Sequence, residues 1–205
     1  MWSAATRLQT RNRDADMSVG VDQKRASAQG DVVGHDKITE VHIHEAAASS
    51  GGVVEQLLRK LEAEIADNAK TQETIEALKR YYRRRSHDGI DGLEAKLDAS
   101  GRHGELHDAL EKKEMFAKLL ERWSLYASAQ QIFVHLLARA EHEFNYNIYP
   151  KIESLQPVQV NELVTNKIVS PVVAECGSTL FAVDHGMALG MLYWLAEQCF
   201  VRWHK

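Results

Sequence analysis

Histidine pairs are the first residues in this sequence whose spacing could support chemistry. His42 and His44 occupy alternate positions of a β-prone stretch, so their side chains would project together, with His35 nearby. They offer nitrogen ligands to a metal ion, but no closed ligand set accompanies them. His103 and His107 lie one helical turn apart, as in zinc proteases, yet a glycine and not a glutamate follows the first of them. We therefore expect no metal site.

Other catalytic patterns are missing from the sequence. It has no glycine-rich phosphate loop, no nucleophile elbow and no acidic cluster at a usable spacing. Cys176 and Cys199 form neither a redox motif nor a metal motif. We expect no enzymatic activity and no cofactor. The alternative is a hydrolase that depends on His103 and His107 or on residues that converge from distant positions.

A basic cluster with interleaved tyrosines occupies residues 79–85. Its cations could bind phosphates while its rings stack on bases, which makes nucleic acid a candidate partner. Cations at the end of a helix are also what the helix dipole favours, so a purely structural role stays open. The candidate phosphate-binding residues are Lys79, Arg80, Arg83, Arg84 and Arg85.

Length and composition favour one domain with an appendage. The chain has 205 residues, of which 44% are hydrophobic and 26% are charged. A net charge of −4 provides no overall attraction to nucleic acid or to a membrane. The longest apolar run is far shorter than the roughly 20 residues that span a bilayer. Together with the sparse cysteine, these features predict a cytoplasmic protein.

The most apolar stretch lies at residues 187–203. Apolar side chains run almost unbroken from Met187 to Leu195, so a helix here would be apolar on every side and enclosed by the rest of the domain. From Cys199 the pattern becomes short, β-prone and close to alternating, which predicts a strand. We expect these residues to complete the core.

The first 52 residues read as an appendage. Residues 1–16 lack the apolar segment of a secretory signal, and we expect them to be disordered or to precede the true start at Met17. Residues 17–45 contain two strand-like runs around a turn and predict a β-ribbon. Because an isolated ribbon is marginally stable, we expect it to pair with copies of itself, with a partner chain or with the predicted terminal strand near Phe200. Its candidate contact residues are Val33, Gly34, Ile38, Val41 and Ile43, and residues 46–52 form a flexible linker.

A heptad pattern follows the linker and predicts one helix over residues 53–85. Alternating steps of four and three residues are typical of a coiled-coil seam, and a buried asparagine in such a seam specifies the register. We interpret it as a self-association surface; a hairpin packed within one chain is the alternative. The seam residues are Val54, Leu58, Leu61, Ile65, Asn68, Gln72, Ile75 and Tyr82, with Lys79 as a further polar layer.

Further helices are predicted from apolar stripes after Glu105 and after Ser128. Glu141 is expected on a solvated helix edge, and Asp184 stands where the N-cap of the last helix belongs. The predicted fold class is therefore mainly α: a helical bundle with a long N-terminal coiled-coil-like helix, a short N-terminal β-ribbon and a C-terminal strand.

Several blocks of this region resemble one known family. They are residues 93–102, 109–118, 128–132, 144–150 and 190–195, together with Cys199 and Trp203. In order and spacing they are similar to the C-terminal domain of prokaryotic ABC-three-component systems, over residues 53–205. Relatives usually carry a small residue before the cysteine and a histidine after it, whereas Gln198 and Phe200 stand there in this chain. A role tied to that histidine does not carry over.

The resemblance implies a non-catalytic subunit, and together with the heptad seam and the ribbon it predicts a homo-oligomeric adaptor. Its partners would be an ABC ATPase and a middle-component protein of the same system, acting in antiviral defence and other conflicts with mobile elements. The alternative is a nucleic-acid-binding subunit that uses residues 79–85.

Overall fold

The structure, a computed structural model, describes residues 52–85 and 88–204. This part of the chain is mainly helical and contains no strand, so the mainly α fold is confirmed there. The predicted β-ribbon at 17–45 lies outside the described residues. The α-helices are α1 (Val53–Ala66), α2 (Glu76–Tyr82), α3 (Gly92–Ala99), α4 (Leu106–Trp123), α5 (Ala127–Glu143), α6 (Pro157–Val164), α7 (Ser170–Cys176) and α8 (His185–Glu197).

Two π-helical segments interrupt this arrangement. Residues Phe144–Ile148 continue α5, and residues Thr165–Val169 connect α6 to α7. Short 3-10 turns precede α4 at His103–Glu105 and follow the first π segment at Tyr149–Lys151. Among the described helices, none combines the length and the apolar character needed to cross a membrane.

Helix α8 is the centre of the core, as its sequence predicts. Its buried side chains include Met191, Leu192 and Leu195, and its closest packing partner is α4. A side chain at Gly190 would overlap the backbone carbonyl of Lys112, so the two helices approach through this glycine. The carboxylate of Asp184 accepts a hydrogen bond from the backbone N–H of Met187 at 2.7 Å, which confirms the predicted N-cap.

The prediction of one continuous helix over residues 53–85 is wrong. Helix α1 ends at Ala66, and Asn68 adopts a left-handed conformation with φ of 50°. The N–H of Asn68 bonds to the carbonyl of Ile65, and the N–H of Ala69 bonds to that of Glu64, which is the Schellman pattern of helix termination. Asn68 is exposed and ends the helix, so it forms no buried layer of a seam.

The predicted C-terminal strand is also wrong. Cys199 has a φ of 63°, its N–H bonds to the carbonyl of Ala196, and the N–H of Phe200 bonds to that of Leu195. A second Schellman motif therefore ends α8, and the chain turns back onto the bundle without pairing as a strand in the described part. The expectation that these residues complete the core is confirmed, because Val201 is fully buried and Trp203 is 4% exposed.

Candidate interaction site around residues 198–204

Residues 198–204, here called the closing segment, lie between two depressions in the surface. The first, the arginine cleft, has a volume of about 480 Å³ and is lined by Arg85, Asn145, Tyr149, Cys199, Phe200 and Arg202. The second, the apolar pocket, has a volume of about 270 Å³ and is lined by Glu105, Asn161, Val164, Thr165, Val169, His185, Leu189, Tyr193 and Trp203. The volume of the arginine cleft lies within the range of small-ligand sites, about 300–1,000 Å³, and that of the apolar pocket lies slightly below it.

Two arginines in the arginine cleft are held against aromatic rings. The guanidinium of Arg85 lies 4.2 Å from the ring centre of Phe200, and that of Arg202 lies 4.7 Å from the ring centre of Tyr149. The side chain of Arg85 is 38% exposed and that of Arg202 is 35% exposed. Stacking of this kind orients a cation while leaving its N–H edges toward solvent.

Reciprocal capping between α3 and α8 holds the end of α8 that leads into the arginine cleft. Buried Lys96, from α3, donates a hydrogen bond to the carbonyl of Ala196 near the C-terminus of α8. Glu197, from α8, accepts a hydrogen bond at 2.9 Å from the N–H of Leu93 at the N-terminus of α3. Each charge complements the dipole of the other helix. This arrangement positions Cys199, whose thiol lies 3.7 Å from a carboxylate oxygen of Asp91.

The pKa of buried Lys96 reflects opposing effects of burial and of the groups that face its amine. Burial lowers the pKa of Lys96, while the side chains of Cys199, Asp88 and Asp91 act in the opposite direction. The net direction is downward. Lys96 thus caps the C-terminus of α8 although its amine is shielded from water.

Asp88 joins the closing segment to the loop before α3. Its carboxylate lies 3.1 Å from Arg202 and 3.2 Å from the ring of His204, and it accepts a hydrogen bond from the N–H of Ile90. Burial raises the pKa of Asp88, but these three hydrogen bonds outweigh that effect and hold the pKa at about 2, below its usual 3.8. Asp88 is therefore a stable anion that positions Arg202.

Trp203 separates the apolar pocket from the core. Its ring packs edge-on against Phe144 at 5.0 Å and lies 6.0 Å from Tyr193, and buried Arg102 stacks on it at 5.1 Å. Arg102 is fixed in turn by hydrogen bonds to the side chain of Asn161 and the carbonyl of Pro157. The Thr165–Val169 π segment forms part of the wall, and such segments occur often at functional sites.

The structure places most of the predicted phosphate-binding residues in ion pairs. Lys79 pairs with Glu76, Arg84 pairs with Glu197, and Arg80 donates two hydrogen bonds to Glu141. Arg83 is exposed, and Arg85 lines the arginine cleft. The basic run is thus spread over several carboxylates and presents no continuous row of free cations.

The predicted seam residues are divided between the core and the surface. Val54 and Leu61 are buried, Leu58, Ile65 and Ile75 pack partly against the core, and Asn68, Gln72 and Tyr82 are exposed. Helix α1 packs on α5, which corresponds to the alternative of packing within one chain. Val54 and Leu58 also line a depression of about 420 Å³ at the start of α1. The ribbon residues Val33, Gly34, Ile38, Val41 and Ile43 lie outside the described part.

Several residues of this site were not predicted from the sequence. Glu141, expected on a solvated edge, is 15% exposed and accepts a hydrogen bond from the hydroxyl of Tyr81 at 2.9 Å. Arg202 lies in none of the blocks that resemble the family. Lys96 and Tyr149 were detectable in principle, because they lie within the blocks 93–102 and 144–150.

Within residues 52–85 and 88–204, no three His, Cys, Asp or Glu side chains are grouped so that they could hold a metal ion.

The fold and the site define an all-helical domain closed by its last described residues. A family model matches residues 92–203, more than half of the chain: C-terminal domain 9 (CTD9) of the ABC-three component (ABC-3C) systems. The chain belongs to this family, which confirms the resemblance. No curated protein and no solved structure is significantly similar to it.

Proposed function

We propose that this chain is a non-catalytic, cytoplasmic adaptor that self-associates and couples the ABC ATPase of its system to the middle component in antiviral defence. Membership of the CTD9 family carries this proposal, since components of one system act together. The arginine cleft supports it, because oriented arginines and tyrosines are enriched in protein interfaces.

Self-association has two candidate surfaces. The depression at the start of α1 is flanked by Val53, whose side chain is 56% exposed, and by half-buried Leu58. The ribbon sequence at 17–45 is the other, because isolated ribbons gain stability by pairing. The break at Asn68 argues against one long coiled coil.

The test is co-expression of the full chain with the ATPase and middle-component proteins encoded by neighbouring genes. We expect all three to co-purify through a tag on any one of them, and light scattering to give a mass above that of the monomer for the isolated chain. Leu58→Glu should lower that mass if α1 provides the contact, whereas Lys60→Gln, at an exposed position on the opposite face of the same helix, should not. A monomer that captures neither partner contradicts the proposal.

Nucleic-acid binding is the second candidate. Arg80 and Arg84 are about half exposed despite their ion pairs, and Arg83 is exposed between them. A labelled oligonucleotide should then bind with strong salt dependence, and changing Arg83, Arg84 and Arg85 together to alanine should abolish binding. Binding that survives this change excludes the cluster as the contact.

A further inference from the structure

We propose that the arginine cleft is a carboxylate-binding site that receives an acidic segment of a partner protein. This inference deepens the adaptor function proposed above, and it rests on that function for the origin of the segment. It rests independently on the geometry of Arg85 and Arg202.

Arg85 has side-chain N–H donors that no acceptor in the described part of the chain uses. It forms an ion pair with Glu141, but the carboxylate oxygen is 3.6 Å away, which is too far for a hydrogen bond. Glu141 is already bound by two hydrogen bonds from Arg80 and one from Tyr81. Among the described residues, no oxygen accepts a hydrogen bond from the Arg85 guanidinium, although this group is stacked in place on Phe200.

Arg202 is the second donor group, and it is prepared in a similar way. Asp88 binds one of its terminal nitrogens at 3.1 Å, and the ring of Tyr149 supports its plane. A guanidinium has five N–H donors, so the contact with Asp88 leaves most of them available. A carboxylate matches the planar fork of a guanidinium and binds it through two parallel hydrogen bonds.

An acidic protein segment fits this cleft better than a nucleic acid does. Base stacking needs exposed ring faces. Phe200 is covered by Arg85 and lies 4.8 Å from the ring of Tyr81, and Tyr149 is covered by Arg202. Tight phosphate-backbone binding also needs many cations in a row.

The test uses a fluorescein-labelled hexaglutamate peptide and the full chain, with fluorescence anisotropy as the readout at about 50 mM salt, where charge contacts are weakly screened. Hexaglutamine controls for the peptide backbone, and a single-stranded oligothymidylate controls for general attraction to anions. We expect hexaglutamate to bind, hexaglutamine not to bind, and the oligothymidylate to bind at least about 10-fold more weakly than hexaglutamate.

The decisive variant changes both Arg85 and Arg202 to alanine. We expect it to weaken hexaglutamate binding by about 10-fold or more, because each lost contact is a charge-assisted hydrogen bond. The matched control changes Arg59 and Arg122 to alanine. It removes the same charge, one arginine from an ion pair with Glu55 and one from a stack on Trp123, outside the cleft. Its affinity should stay within about 2-fold of the wild type.

Two further variants keep the test meaningful if the double variant does not fold. Arg85→Ala alone removes no hydrogen bond within the described part and should still weaken binding several-fold. Arg85→Lys keeps the charge but loses the planar fork, so it should lie between Arg85→Ala and the wild type. Circular dichroism establishes that each variant is folded.

The inference is overturned if hexaglutamate does not bind, if both double variants bind it equally, or if the oligothymidylate binds more tightly with the same arginine dependence. Failure of the adaptor function is a different result. If the double variant still co-purifies with both partner proteins, the cleft is not their contact and the adaptor function stands. If hexaglutamate binds through Arg85 and Arg202 but the wild-type chain captures neither partner, the cleft stands and the adaptor function fails.

Discussion

Substitutions of Asn68 distinguish a helix that ends before this residue from one that continues through residues 53–85, because the two predict stability changes of opposite sign. In the present structure Asn68 has a φ of 50° and ends α1 through a Schellman motif. A residue with a Cβ atom is destabilised by about 1 kcal/mol in this left-handed backbone conformation, whereas glycine adopts it without strain. Because Asn68 is exposed, packing adds little to the difference. Asn68→Gly should therefore raise the free energy of unfolding by about 0.5 kcal/mol, and Asn68→Ala should lower it by about 1 kcal/mol.

A continuous coiled-coil helix through residues 53–85 requires the reverse. In the interior of a helix alanine is more favourable than glycine by about 1 kcal/mol, so Asn68→Ala would stabilise and Asn68→Gly would destabilise. Urea unfolding monitored by circular dichroism measures both changes. Ala63→Gly, at an exposed position inside α1, is the control and should lose about 1 kcal/mol. If Asn68→Ala proves more stable than Asn68→Gly, the helix break is refuted.

Two other predictions concern the core and the closing segment. Gly190→Ala should lower the free energy of unfolding, measured with urea, by about 1–3 kcal/mol, because the new methyl group overlaps the backbone of Lys112. The control is Gly104→Ala, whose methyl group meets no atom within 4 Å and which should change the free energy of unfolding by less than about 0.5 kcal/mol. Equal stability of the two variants would contradict the close approach of α4 and α8. Asp88→Asn should cost about 1 kcal/mol near neutral pH, a figure reduced for solvent screening of a carboxylate that is 29% exposed. Since the folded-state pKa of Asp88 is lowered to about 2, the wild-type advantage should be complete above pH 3.8 and disappear as the pH falls through 2; an advantage independent of pH would disprove the ion-pair account.

The helical core could be predicted from the sequence because its signals are local and repeated. The apolar run of α8 requires enclosure on every side, and Asp184 marks the start of that helix through the side chain that caps it. The heptad spacing predicted too long a helix, because the spacing continues past Asn68 although the helix α1 ends before it. Spacing reports which residues share a face only while the backbone remains helical, and a single asparagine in the left-handed region removes that condition.

The candidate site was harder to predict because its contacts join residues that are distant in sequence. Arg80 and Arg85 were identified as cations, but their carboxylate partner Glu141 lies on another helix and was assigned to solvent. Lys96 and Glu197 cap each other's helices across about 100 residues of chain, as the hydrogen bonds of Lys96 to Ala196 and of Glu197 to Leu93 show. Charge type can be read from a sequence, whereas the choice between a partner within the chain and one outside it depends on tertiary packing.

The alternation of side-chain types after Cys199 is real, but the strand predicted from it is wrong. Phe200 and Arg202 line the arginine cleft, while Val201 is fully buried and Trp203 packs between the core and the apolar pocket. Phe200 and Arg202 thus contribute to the cleft and Val201 to the core, although Phe200 itself is only 4% exposed, and in the described part packing and ion pairs hold this segment without strand pairing. Arg202 and Trp203 are consecutive, so one short stretch of backbone contributes a side chain to each depression. The same short segment that completes the core thus also forms part of the arginine cleft, where an acidic partner segment is expected to bind, and part of the wall of the apolar pocket.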